Sequence, residues 1–292
     1  MDKRDNLITL AVAQMSMVDD RRRNLERASE LVRGAAERGA EVVLLPELFE
    51  SLYFPQQLRQ EHFGLARGVE QSEAVRTMAA LARELGVVIP VSFFEKDGDA
   101  YFNSLALLDA DGDCLGVYRK SHIPDGAGYE EKYYFQPGNT GFRVFRTRFG
   151  NIGIGICWDQ WFPECARALT LLGADVLLFP TAIGSEPDHP QYGTGEAWRR
   201  VMVGHAASNG AVIGAANRVG QEGSLRFYGS SFVAGPKGDI LEELGGDKEG
   251  VAVVQIDLGE VRAYRQWLGV LTDRRPELYG VLTHPIKPQS GS

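Results

Sequence analysis

Three stretches in the first half of the chain return in the second at an offset of about 130 residues, far above the period of a solenoid. G-A-E-V-V-L-L-P at 39–46 resembles G-A-D-V-L-L-F-P at 173–180, and L-G-V-V-I at 85–89 resembles N-G-A-V-I at 209–213. A turn-centred segment at 104–115, with D-A-D-G-D, likewise resembles 230–241, with A-G-P-K-G-D. Around these anchors, apolar strand-like runs (7–15, 41–45, 87–94, 152–156) alternate with helical spacing (21–38, 72–85, 164–172, 195–208). Such alternation predicts an α/β fold. Two copies of one β/α unit bury their apolar faces by packing sheet on sheet with the helices outside. The expected architecture is therefore a four-layer α-β-β-α sandwich with an internal pseudo-twofold repeat. No Pro/Gly/Ser-rich linker separates the copies, so residues 1–292 are expected to form one domain. The tail at 268–292 has no core-like period; it is expected to extend toward a partner subunit and to be disordered over 285–292.

Composition narrows the function classes. A net charge of -8, with no long Lys/Arg run, argues against a general nucleic-acid or anionic-membrane binder. No window approaches the ~18 apolar residues of a membrane span, and the N-terminal segment lacks the apolar core of a secretory signal. The three cysteines, Cys114, Cys157 and Cys165, form no C-x-x-C pair, which points to a reducing, cytoplasmic setting. Neither these cysteines nor the five histidines have zinc spacing. Gly150, Gly153 and Gly155 lie within a strand pattern instead of after one, so they do not make a dinucleotide fingerprint.

What remains is chemistry at strand ends. In N-I-G-I-G-I-C-W-D-Q-W-F-P-E, at 151–164, alternating Ile and Gly make a narrow strand, and the period breaks at Cys157 before a helical pattern begins. A thiol there is lifted from the core, with N–H groups of the next turn facing whatever it attacks. Cysteine is more often simply buried and inert, so the reading depends on companions. Glu47 terminates the apolar strand V-V-L-L-P, where a partly desolvated carboxylate suits a general base. Lys120 ends the strand pattern at 115–119 and precedes the turn S-H-I-P, from which its ammonium can reach the same cleft. Together they make a nucleophilic set: Glu47 takes the thiol proton, Cys157 attacks a carbonyl, and Lys120 with the Trp158 N–H holds the oxyanion. His122 reads as a hydrogen-bonded loop histidine, since Glu47 already fills the role of base.

P-E-L-F around Glu47, Y-R-K-S-H-I-P around Lys120 and G-I-C-W-D-Q-W-F-P-E around Cys157 resemble, in order, the three signature blocks of the nitrilase (carbon-nitrogen hydrolase) superfamily. The resemblance implies the sandwich just described and a Glu-Lys-Cys triad that cleaves non-peptide C–N bonds without metal or organic cofactor. It also implies assembly through helical faces into a homodimer or larger homo-oligomer. It further implies a second Glu that positions substrate and leaving amine; by spacing this is Glu131, with the adjacent Glu130 as the alternative.

K-S-H-I-P-D-G-A-G-Y, C-W-D-Q-W-F-P-E and P-T-A-I-G-S-E-P look like the N-carbamoylputrescine amidase branch, with β-ureidopropionases and other carbamoyl-amine or ω-amide hydrolases as neighbours. A carbamoylated diamine carries a distal ammonium that a dry pocket must meet with carboxylates or aromatic faces. The candidates are Asp125, Glu186, Asp188 and Tyr53, with Trp158 and Thr181 near the nucleophile. An enzyme for an acidic substrate would place Arg or Lys there, and there is none between Thr181 and Glu196. The contrasting expectation is a catalytically idle scaffold subunit, which intact Glu47, Lys120 and Cys157 argue against.

Overall fold

A computed structural model describes residues 6–285. The expected C-terminal disorder falls on residues that, from 286 onward, lie outside this range.

The chain runs β1 (Leu7–Gln14), α1 (Arg21–Glu37), β2 (Val42–Leu44), α2 (Glu73–Leu85), β3 (Ile89–Asp97), β4 (Ala100–Leu108) and β5 (Cys114–Arg119). A single turn, α3 (Glu131–Tyr134), then leads into β6 (Arg143–Thr147), β7 (Gly150–Ile154), α4 (Pro163–Leu171), β8 (Val176–Pro180), α5 (Thr194–Asn209) and β9 (Val212–Ala216). The small hairpin β10 (Val219–Glu222) and β11 (Leu225–Tyr228) precedes β12 (Phe232–Ala234), β13 (Ile240–Glu243), β14 (Gly250–Asp257) and α6 (Leu258–Leu268). Helix starts and stops follow local chemistry. The Asp20 side chain accepts from Arg23 N at 3.1 Å to cap α1, Ser72 caps α2, and Gly86 ends α2 in the left-handed conformation.

The repeat is visible in the sheets. One half has the order β14-β1-β2, joined edge to edge with β3-β4-β5 through Val43 N to Val88 O at 2.9 Å and Val88 N to Glu41 O at 2.8 Å. The other half is a six-stranded sheet, β6-β7-β8-β9-β12-β13 in reverse order from its far edge. In both, an antiparallel edge strand lies beside parallel strands, followed by an antiparallel hairpin. The matched stretches therefore fall on β2 and β8, on β3 and β9, and on the hairpins β4-β5 and β12-β13.

Three buried clusters define the four layers. Ile8, Leu10, Val12, Val42 and Leu107 of one sheet meet Ile152, Ile154, Val176, Leu178 and Val212 of the other. The outer face of the first sheet packs on α1 and α2 through Leu31, Val32, Met78 and Leu81, and that of the second on α4 and α5 through Leu169, Trp198 and Met202. The Ile-Gly alternation follows from this. Ile152, Ile154 and Ile156 fill the space between sheets, while Gly153 and Gly155 let α4 and β8 approach closely: a Cβ on Gly155 would run into the Phe179 ring and lie 3.2 Å from Cys165 Sγ. Gly155→Ala is expected to destabilise the protein by roughly 1–3 kcal/mol through overpacking and to lower activity by displacing Cys157; denaturant unfolding beside an activity assay checks both.

Candidate active site

The expected residues meet at the C-terminal ends of the parallel strands, where the two sheets face each other. Glu47 follows β2, Lys120 follows β5, Glu131 opens α3 and Cys157 opens a 3-10 turn, Cys157–Trp161, directly after β7. Glu47, Lys120 and Glu131 are fully buried. The Lys120 ammonium lies 2.9 Å from Glu47 Oε1 and 2.9 and 2.7 Å from the two oxygens of Glu131. Asn103 Nδ2 also donates to Glu47 Oε1, at 2.7 Å, whereas Glu47 Oε2 is buried with no hydrogen-bond partner. The Tyr53 hydroxyl donates to Glu131 Oε1 at 2.6 Å. Glu131, not Glu130, is thus the carboxylate on the lysine; Glu130 is partly exposed and its N–H donates to Pro55 O.

Burial and neighbouring charges act on these groups in different directions. Burial opposes the charge on Lys120, but the charges of Glu131 and Glu47 outweigh it and hold the ammonium well above its ordinary range. Burial pushes the Glu131 carboxyl up, against the pull of Lys120. Burial and then the Glu47 charge push the Cys157 thiol far up, with Lys120 opposing. The resting sulfur is therefore a neutral thiol that needs a base, unlike cysteines primed as thiolates.

Cys157 is 7 % exposed, its Sγ is 3.9 Å from Ala182 O, and its φ of 41° is in the left-handed region. It faces a cavity of about 470 Å³ lined also by Glu131, Tyr129, Trp158, Trp161, Asp125, Glu186, Asp188 and His189, with no Lys or Arg among the lining residues. In the first turn after Cys157, the Trp158 N–H has no intrahelical partner and can face an oxyanion. A larger cavity, about 790 Å³, lies between α4, α5 and the C-terminal segment and contains none of the triad.

The other expected residues divide between the cavity wall and the interior. Trp158 is partly exposed on the cavity wall, and Asp125, Glu186 and Asp188 belong to its more exposed lining. Burial raises the Glu186 carboxyl, with the Thr194 hydroxyl donating to it at 3.3 Å in partial compensation. Tyr53 and Thr181 do not line the cavity. Tyr53 is buried behind Glu131, between Arg218 and Phe227, and the Thr181 hydroxyl donates inward to Gln160 Oε1 at 3.3 Å. His122 is a loop histidine as expected: its N–H and Nδ1 both meet Asp159 Oδ1, at 3.0 and 2.7 Å, and its ring stacks on Phe162 at 3.7 Å.

Two supports were not foreseen from the sequence. Fully buried Asp159 accepts from Ile156 N and Tyr118 OH on one oxygen and from His122 on the other, tying the nucleophile turn to the loop after Lys120. Fully buried Arg218 donates to the carbonyls of Glu47, Leu48 and Ser51 and pairs with Glu222, whose carboxylate accepts Tyr53 N at 2.7 Å. Among the described residues no three His, Cys, Asp or Glu are grouped as metal ligands; the carboxylates here converge on an ammonium.

The sandwich, the buried Glu-Lys-Glu cluster and the adjoining thiol define a cysteine amidohydrolase type of site. The chain matches the carbon-nitrogen hydrolase family over residues 9–266 and belongs to it. It is 48% identical to the N-carbamoylputrescine amidase of Solanum lycopersicum, over 98% of this chain and 100% of that one. To the citrullinase of Francisella tularensis it is 45% identical, over 93% and 96%. The crystal structure of a carbon-nitrogen hydrolase from Helicobacter pylori G27 superposes with a TM-score of 0.90 at 35% identity, covering 96% of this chain and all of that one.

Because the Glu47 charge raises the thiol, Glu47→Gln is expected to move alkylation of Cys157 to lower pH. Iodoacetamide rates followed up to about pH 10, past the ordinary thiol range, in a Cys114→Ser background that removes the exposed thiol, test this. The unaltered protein should show no plateau below that pH; coincident profiles would show that Sγ does not feel the carboxylate.

Proposed function

We propose that this protein hydrolyses N-carbamoylputrescine to putrescine, ammonia and carbon dioxide. The observation that carries the reading is the cavity: its buried lining includes the thiol and Glu131, its more exposed lining includes Asp125, Glu186 and Asp188, and it has no Lys or Arg. A ureido group at the sulfur leaves the distal ammonium of a four-carbon diamine to these carboxylates, and Trp158 and Trp161 flank the methylenes. Citrulline has the same ureido end but adds an α-carboxylate, which this lining has no Lys or Arg to hold.

In the proposed reaction, Glu47 Oε2 takes the Cys157 proton as Sγ adds to the ureido carbon. The oxyanion rests on the Trp158 N–H and the Lys120 ammonium. If one Lys120 N–H turns from Glu131 toward the oxyanion, Glu131 stays held by the other contact and by Tyr53. Glu47 then gives the proton to the departing nitrogen, the C–N bond breaks, and a carbamoyl thioester remains. Water, losing a proton to Glu47, attacks this thioester and restores the thiol. Whichever C–N bond breaks first, the resulting carbamic acid loses carbon dioxide and the products are the same. Glu131 orients the nitrogen.

Unpaired Cys114, Cys157 and Cys165 suit a reducing cytoplasmic compartment. Among the described residues no helix is long and apolar enough to cross a membrane. Trp267, Leu278, Val281 and Leu282, each more than 60 % exposed beside the larger cavity or α6, suit burial against a second copy.

The decisive experiment is ammonia release from N-carbamoylputrescine, citrulline and N-carbamoyl-β-alanine side by side, with Cys157→Ala as control. The diamine derivative should have the highest kcat/KM, and Cys157→Ala should abolish release without changing the fold; preference for either carboxylate-bearing compound would overturn the assignment. Glu186→Gln is expected to raise KM for N-carbamoylputrescine about tenfold, the loss of one partly buried charge contact, while an uncharged carbamoylated alkylamine is little affected. Equal loss on both would remove Glu186 from charge recognition.

A further inference from the structure

We propose that Asn103 is a positioning residue that makes Glu47 Oε2 the single proton-carrying atom of the base. The proposal rests on Glu47 acting as base in the reaction above. Asn103 lies on β4, fully buried, and holds two triad members at once: its carbonyl accepts Lys120 N at 2.8 Å and its Nδ2 donates to Glu47 Oε1 at 2.7 Å. With the ammonium also on Oε1, that oxygen carries both donors and Oε2 none. A carboxylate so held cannot rotate to exchange its oxygens without losing a charge-assisted hydrogen bond. The proton from Cys157, and later from water, has one place to go.

The repeat provides an independent comparison. Ile89 pairs with Leu108 on β4 as Ile213 pairs with Ala234 on β12, and continuing that register past the start of β12 sets Gly229 where Asn103 stands. The same repeat sets Thr181 opposite Glu47. The copy has no acid at Thr181, and Gly229, at φ 60° and packed on the buried Gln14 amide, brings no side chain of its own to that place. A buried amide is unfavourable unless bonded, and in Asn103 the only side-chain bond is the one to Glu47, its Oδ1 being without a partner.

The titratable and charged groups facing the Glu47 carboxylate are Lys120 after β5, Glu131 on α3, Cys157 after β7 and Tyr53; Arg218 holds its main chain. Asn103→Leu leaves all of these in place, whereas Asn103→Asp adds a carboxyl of its own beside Glu47. A hydrogen bond donated to one oxygen of a carboxylate fixes its orientation, so removing the Asn103 donor lets the Glu47 carboxylate turn away from the thiol.

The test compares the full-length protein with Asn103→Leu and Asn103→Asp on the best substrate found in the side-by-side assay. Turnover by the unaltered protein bears on the hydrolase reading; the ratio of variant to unaltered protein bears on Asn103. For both variants kcat should fall roughly 10- to 100-fold, as for a misaligned catalytic group, with KM within about twofold. Near-native thermal unfolding would set a folding effect aside. An unchanged kcat in a folded variant, or a loss confined to KM, would overturn the proposal. So would failure of both variants to fold, because Asn103 would then serve the fold instead of the base.

Discussion

The structure depends on one fully buried ammonium ion. Lys120 is fully buried, a condition that is strongly unfavourable for a charge unless paired and hydrogen-bonded. Two carboxylates from different elements meet it, and since each is buried too, neither can be removed without stranding the others. Burial first, and then two carboxylates set against one ammonium, push the Cys157 thiol up and keep it protonated at rest. Nucleophile and base are thereby coupled: the sulfur becomes reactive when Glu47 takes its proton, and an oxyanion then offers the ammonium a new negative neighbour. An arrangement of this kind keeps an exposed thiolate, with its susceptibility to oxidation, out of the resting enzyme.

Such a cluster must be held against its own strain. Leu48, next to Glu47, and Cys157 both take left-handed backbone angles that non-glycine residues avoid, at φ 49° and 41°, each costing about 1–3 kcal/mol. Each strained turn has a buried ion beside it. Arg218 collects the carbonyls of the Glu47 turn, which would otherwise be buried acceptors without donors, and Asp159 collects the amide before Cys157. Through Glu222 and Tyr53, the Arg218 clamp also reaches Glu131 from behind. Both carboxylates on Lys120 are therefore set by one guanidinium from the opposite half of the repeat.

The sequence showed the strands, their repeat and the residues at their ends, because period and punctuation are local signals. Glu47, Lys120 and Cys157 were legible for that reason, and Glu131 by resemblance. The direction of a side chain beyond a strand end is not a local signal. Tyr53 and Thr181 flank the triad in the chain yet turn inward, Tyr53 because Glu131 needs a donor and Thr181 because Gln160 offers an acceptor. Arg218, Asp159 and Asn103 were missed because each acts through a partner from 37 to 171 residues away. A buried Arg within A-A-N-R-V-G was the one available hint: a full charge set between apolar strands requires acceptors nearby.

The repeat also explains why there is one site and not two. Counterparts by strand register are Thr181 for Glu47, Gly246 for Lys120, Gly229 for Asn103 and Met15 for Cys157. One copy keeps the acid, the cation and the amide, and the other keeps the sulfur, so the two half-sites complete each other only across the face between the sheets. Glu47 N reaches the carbonyl of its own counterpart, Thr181, at 3.4 Å, which fixes how far the two strand ends can separate. A second, symmetry-related site would demand another buried ammonium with its carboxylates, displacing Met15 and the close approach at Gly229, where a Cβ would lie 2.7 Å from the Gln14 amide. Packing of the second copy's end thus excludes duplicate chemistry and leaves that side to brace the first.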